Sequence, residues 1–155
     1  MKGNVFVGSE GPTDVPRIDI GPQEARVIVE NNTLVDTRVT ISVNYGEPLS
    51  FRNNILRATP VWLYYPPGGV VSCNDIWPDS ASFTIFNSVV DRENNICADP
   101  LFCGEAAGDF RIARESACAE AIAPLGCGQI GALGVGCSQT PVERLSWGKV
   151  KHLFR

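Results

Sequence analysis

Residues 27–46, VIVENNTLVDTRVTISVNYG, and residues 49–68, LSFRNNILRATPVWLYYPPG, match in residue type position by position. At a shift of 22, Val27 falls on Leu49, Val29 on Phe51, Asn31 and Asn32 on Asn53 and Asn54, and Leu34 on Leu56. The match continues with Thr37 on Thr59, Val39 on Val61, Ile41 on Leu63, Val43 on Tyr65 and Gly46 on Gly68. A further step of 21 carries Leu49 to Val70, Asn54 to Asp75 and Ile55 to Ile76. Backwards, Asn4-Val5-Phe6 matches Asn32-Thr33-Leu34 at a step of 28, the excess assigned to a loop at Gly8–Asp14.

A period in the low twenties belongs to leucine-rich repeats or to β-solenoids. The dense leucine pattern of the former is absent. Within each unit the apolar residues alternate, as in Val27, Val29 and then Val39, Ile41, Val43, so the elements are strands. Short strands bent at polar corners describe one rung of a parallel β-helix. Asn tolerates the left-handed backbone of a sharp bend. Rungs stack about 4.8 Å apart, so equivalent Asn side chains hydrogen-bond in a ladder. The predicted ladder is Asn32, Asn54 and, as its last step, Asp75. Glu30 is expected beside Arg52 as an exposed ion pair.

From about residue 73 the register dissolves. SCNDIW at Ser72–Trp77, NICADPLFC at Asn95–Cys103, GDFRIARESAC at Gly108–Cys118 and IGALGVGC at Ile130–Cys137 follow in order, and TPVERLSWGKVKHLFR runs from Thr140. Together they resemble the C-terminal part of bacterial right-handed parallel β-helix repeat proteins of the pectate-lyase-like superfamily. Ala117 departs from the Pro that this family usually places before Cys. The resemblance implies an all-β right-handed solenoid of about three to four rungs, and a secreted or cell-surface setting. It implies less about activity, because one fold carries many functions. Residues 1–96 are read as rungs and 97–155 as a Cys-rich closing cap of the same domain. Asp109–Ala113 and Gln129–Leu133 are candidate strands closing the last rung. Val142, Leu145, Trp147, Val150 and Phe154 lie at helical spacings, with Lys149, Lys151 and Arg155 on the other side, as a short helix over the barrel mouth.

Six Cys at 73, 97, 103, 118, 127 and 137 form no CxxC pair, and the only His is His152, so no metal site is expected. An even count without metal spacing suggests disulfides and an oxidising compartment. The assigned pairs are Cys118 with Cys127, Cys103 with Cys137 and Cys73 with Cys97. The N-terminal residues show no export signal. The two observations agree if further rungs and a leader lie upstream.

A net charge of −4 and a pI near 5.0 give no reason to expect nucleic acid, and no stretch is long enough to span a membrane. No cofactor is implied. Catalytic groupings fail on register: Asp75 with Asp79, and Asp91 with Glu93, share no rung position, so no catalytic residue is assigned. The glycines of Gly126–Gly134 lack the following helix of a phosphate loop. Trp62 and Tyr64 stand two apart on one strand and form a candidate outward platform for sugar rings, unless the 78–95 loop covers them. Polysaccharide or cell-surface components are the candidate partners. The function expected is a non-catalytic structural or binding end of a secreted or cell-surface β-helix protein. The alternative is the distal part of a polysaccharide lyase or hydrolase whose catalytic rungs lie upstream.

Overall fold

The computed structural model describes residues 1–8, 17–21, 26–42, 49–64, 69–78, 83–86 and 93–138. Among the described residues, eleven of fourteen strands wind into a parallel β-solenoid of about four turns. Sheet A is β3 (Val27–Glu30), β6 (Leu49–Arg52) and β9 (Val70–Ser72). Sheet B is β1 (Val5–Val7), β4 (Thr33–Val35), β7 (Ile55–Arg57) and β10 (Asp75–Trp77). Sheet C is β2 (Arg17–Ile20), β5 (Arg38–Ser42), β8 (Val61–Tyr64) and β11 (Phe83–Phe86).

Every neighbouring pair within these three sheets is parallel, and the register follows the repeat. Val29 pairs with Phe51, Ile41 with Leu63 and Leu34 with Leu56, each at 22 residues, as expected. Val5 pairs with Thr33 and Phe6 with Leu34 at 28, whereas Arg17 pairs with Arg38 at 21. The register therefore places the extra residues of the first turn between Val7 and Arg17. The third step is 20 rather than 21: Val70 pairs with Ser50 and Ile76 with Leu56. The connection from Tyr64 to Val70 is two residues shorter than that from Ser42 to Ser50. Strand pleat fixes which face a residue takes, but a corner's length is free to vary.

Inside the coil, Val29, Phe51 and Val71 stack on sheet A, and Leu34, Leu56 and Ile76 on sheet B, with Val39, Ile41, Val61 and Leu63 from sheet C. Met1, Phe6, Ile18 and Ile20 pack against this core from the first turn.

The corner between sheets A and B repeats a two-residue device. Gly3, Asn31, Asn53, Cys73 and Asn94 all have φ between 53° and 65°. Each is followed by Asn: Asn4, Asn32, Asn54, Asn74 and Asn95. The left-handed residue turns the chain inward, and the next Asn side chain enters the coil. Asn32 Nδ2 donates to Asn54 Oδ1 at 2.9 Å, Asn54 Nδ2 to Asn74 Oδ1 at 3.0 Å, and Asn74 Nδ2 to Asn95 Oδ1 at 2.9 Å. Asn4 joins at the other end, 3.2 Å from Asn32 Oδ1. Each of the four accepting oxygens also takes the backbone N–H of the preceding ladder residue. The last steps are thus Asn74 and Asn95, and Asp75 is not a ladder member. The one-residue shift of the 20-residue step puts Asp75 on β10, facing outward opposite Ile55. At the next corner Thr37 and Thr59 stack in the same way, their hydroxyls 3.3 Å apart.

Glu30 and Arg52 are register neighbours, but Glu30 pairs with Lys2 at 2.8 Å and accepts the Ser50 hydroxyl at 2.7 Å. The expected Glu30–Arg52 ion pair is not formed.

Among residues 97–138, the segment around Cys127–Ala132 lies along the flank of the solenoid. A small sheet of β12 (Phe102–Gly104), β13 (Asp109–Ala113) and β14 (Val135–Cys137) precedes and follows a looped flap. β13 occupies the expected Asp109–Ala113, but Gln129–Leu133 is not a strand. It instead runs along the outer face of sheet B and its corner. Gly131 N donates to Asn53 O at 2.8 Å and Ala132 N to Thr33 Oγ1 at 3.0 Å, while Asn53 Nδ2 donates to Cys127 O at 2.6 Å. A Cβ on Gly131 would meet Ile55 Cδ1 at 2.5 Å, and its φ of 96° also favours glycine. Ile55, Ile112, Cys118, Ala119 and Ile130 form a second core beneath the flap. Outward apolar residues on sheet B need such a cover.

Disulfides staple the flap. Cys103–Cys137 joins β12 to β14 as expected. Cys73 pairs with Cys127, not Cys97, so the expected Cys118–Cys127 and Cys73–Cys97 bridges are absent, and Cys97 and Cys118 are free thiols. Sequence distance favoured the short Cys118–Cys127 loop; the flap's path favours Cys127, which it carries back to the Asn53–Cys73 corner. The tail from Thr140, with its expected helix and His152, lies outside the described residues.

Candidate functional site

The outer face of sheet C carries the aromatic pair. Along β8, Val61 and Leu63 point into the core, so Trp62 and Tyr64 point out. Thr40 lies beside Trp62 and Ser42 beside Tyr64 on β5, and Thr84 beside Trp62 on β11. Tyr64 is 42% exposed and Trp62 is half-buried. The Arg38 guanidinium sits 5.4 Å from the centre of the Trp62 ring, a cation–π contact that steadies one face of the indole. On β2, Arg17 and Asp19 form an exposed ion pair at 2.6 Å. The result is a polar sheet face with two outward rings on one strand. Much of the 78–95 loop that was to cover them, residues 79–82 and 87–92, lies outside the described residues.

A groove of about 420 Å³ separates sheet B from the small C-terminal sheet, lined by Val7, Val35, Asp36, Arg57, Glu105 and Phe110 among others. Arg57 bridges it, 3.0 Å from Asp36 and 3.0 Å from Glu105. Two carboxylates sharing one guanidinium make a clamp between solenoid and cap. The glycines of Gly126–Gly134 belong to the flap, several at positive φ, and no helix follows them among the described residues. Asp79 and Asp91, which would pair with Asp75 and Glu93, lie outside the described residues. Among the described residues no group of three or more His, Cys, Asp or Glu side chains is placed to hold a metal, and no helix is long and apolar enough to cross a membrane.

The buried polar site that sequence reading missed is Asp75 with Cys118. Both are 0% exposed; the Cys118 thiol donates to Asp75 Oδ2 at 3.1 Å, and Ala98 N–H donates to Oδ1 at 3.0 Å. Burial pushes the Asp75 carboxyl up to about 6, opposed by the Ala98 and Cys118 hydrogen bonds and reinforced by the charge of Asp99. Burial, with the nearby Asp75 charge, also pushes the Cys118 thiol up, which disfavours the thiolate. Because Asp75 binds its proton more tightly folded than unfolded, its stabilising effect is complete below about pH 4 and is lost as pH rises through about 6. Asp75→Asn is therefore expected to raise stability by about 2–3 kcal/mol at pH 7.5 relative to its effect at pH 4. Urea unfolding of both proteins across that range measures this. Parallel curves would show that folding does not raise the Asp75 carboxyl.

No family model, curated protein or solved structure matches this chain. The two disulfides point to a non-cytoplasmic environment.

Proposed function

We propose that this chain is a non-catalytic structural and binding part of a secreted or cell-surface solenoid of the bacterial pectate-lyase-like kind, and that sheet C contacts polysaccharide. The observation that carries the reading is the outward pair Trp62 and Tyr64, held on a rigid strand with Arg38 over the indole. Pyranose rings present apolar C–H faces that stack on such rings, while Thr40, Ser42 and Thr84 on the neighbouring strands provide hydroxyls for sugar oxygens. A sheet face built on parallel rungs is preorganised, so little ordering is needed on binding. The oxidising setting and the order of the C-terminal motifs support the secreted, pectate-lyase-like part of the proposal.

Affinity electrophoresis in gels containing pectin, alginate, cellulose derivatives or chitin derivatives tests it. Retardation by at least one glycan is expected. Trp62→Ala is expected to weaken it roughly tenfold, equivalent to about 1–1.5 kcal/mol of stacking. Tyr64→Ala should weaken it as well, with urea midpoints close to wild type because both rings face outward. Free migration in every gel, or equal retardation of Trp62→Ala, would refute the proposal.

A further inference from the structure

On the outer face of sheet A, register places Lys2, Glu30, Arg52 and Ser72 in one column. Glu30 is already held by Lys2 and Ser50. Arg52 enters none of the ion pairs among the described residues. Its Nε is also the only buried side-chain nitrogen or oxygen among them without a hydrogen-bond partner. Buried donors are nearly always satisfied by protein, water or ligand, so an orphan beside a cavity asks for an occupant.

That cavity exists. A pocket of about 250 Å³ at the seam between sheet A and the flap is lined by Arg52, Ser72, Glu93, Asn94, Leu125 and Gly126 among others. The Cys73–Cys127 disulfide fixes the flap loop there, and Leu125 is 97% exposed at its edge. A guanidinium presents a planar fork of donors matched to the two oxygens of a carboxylate or sulfate. We propose that this pocket binds a singly charged oxyanion, a carboxylate or a sulfate ester, held by Arg52 with the Ser72 hydroxyl as a further donor. One guanidinium balances one negative charge, which sets a doubly charged phosphate monoester aside. The site lies on a different sheet from Trp62 and Tyr64, so either reading can fail without the other.

The test is two-dimensional proton–nitrogen NMR that observes arginine Nε–H signals, with the oxidised chain titrated at constant ionic strength. Acetate and methyl sulfate are the probes, and they separate the carboxylate source from the sulfate source. Inorganic phosphate is the third arm. The Arg52 Nε–H signal and the Ser72, Asn94 and Gly126 amides are expected to shift saturably with acetate or methyl sulfate, and less with phosphate. Arg57, clamped between Asp36 and Glu105, should stay still. Arg52→Gln is expected to abolish the saturable shifts. Arg52→Lys keeps the charge on the strand if Gln disturbs folding, and should bind more weakly because the fork is gone. Linear shifts shared with exposed Arg114, or saturable shifts that persist in either variant at wild-type strength, would overturn the proposal.

Discussion

Asn54→Ala is expected to lower the unfolding free energy by about 2–6 kcal/mol, the largest loss expected in this fold at its upper end. Asn54 is fully buried and makes four side-chain hydrogen bonds. Its oxygen accepts the Asn32 N–H at 3.0 Å and Asn32 Nδ2 at 2.9 Å; its amide donates to Val29 O and Asn74 Oδ1, each at 3.0 Å. Truncation strands the Asn32 N–H and releases Val29 O from its side-chain donor, in an interior where water cannot replace them. Each group left unpaired costs about 1–3 kcal/mol, which sets the range. Asn54→Asp is a near-isostere, yet it should be destabilising too, because a carboxylate would face Asn74 Oδ1 and Val29 O without donors. Equilibrium urea unfolding followed by circular dichroism reads both. A loss under about 1 kcal/mol for Asn54→Ala would mean that the ladder is not buried as described.

Phe51→Ala is the second large effect, at about 3–5 kcal/mol. The ring is fully buried between Val29 of the rung before and Val71 of the rung after. A solenoid interior has little freedom to collapse around a missing ring, because backbone hydrogen bonds on each side hold the rung spacing. Phe51→Leu should recover most of the loss. The same unfolding assay decides it; near-equal midpoints for Phe51→Ala and wild type would contradict the central position of this ring.

Where side chains repeat at a fixed spacing, the sequence was readable to the residue. Val29 on Phe51, Ile41 on Leu63 and Asn32 on Asn54 all follow from alternation plus one period. The outward placement of Trp62 and Tyr64 followed from the same parity. Reading failed where the period changed. Asn74 precedes Asp75, and both are short polar residues near a corner, so one residue of slip exchanged the ladder member with a buried acid. Two adjacent residues share the corner: Asn31, Asn53 and Cys73 bend the chain, and the Asn after each fills the corner. The flap was illegible for a different reason. It makes no repeating strand pairs with the solenoid among the described residues; its path depends on Gly131 fitting over Ile55, and the small sheet's seat on Arg57 reaching Glu105. Neither contact has a local sequence signal. Cysteine spacing could not find Cys73–Cys127 because the partners are 54 residues apart and meet only once the flap folds back. Arg52, which enters no ion pair among the described residues, was hidden because Glu30 looked like its partner until Lys2 and Ser50 were in place.

The central claim is that the chain coils in parallel with steps of 22 and then 20 residues. Nuclear Overhauser contacts between methyl and aromatic protons test it most directly. The account predicts contacts from Phe51 to both Val29 and Val71, from Leu56 to both Leu34 and Ile76, and from Leu63 to Ile41. Contacts offset by one residue, such as Ile55 to Ile76 inside the core, or an antiparallel set, would contradict it.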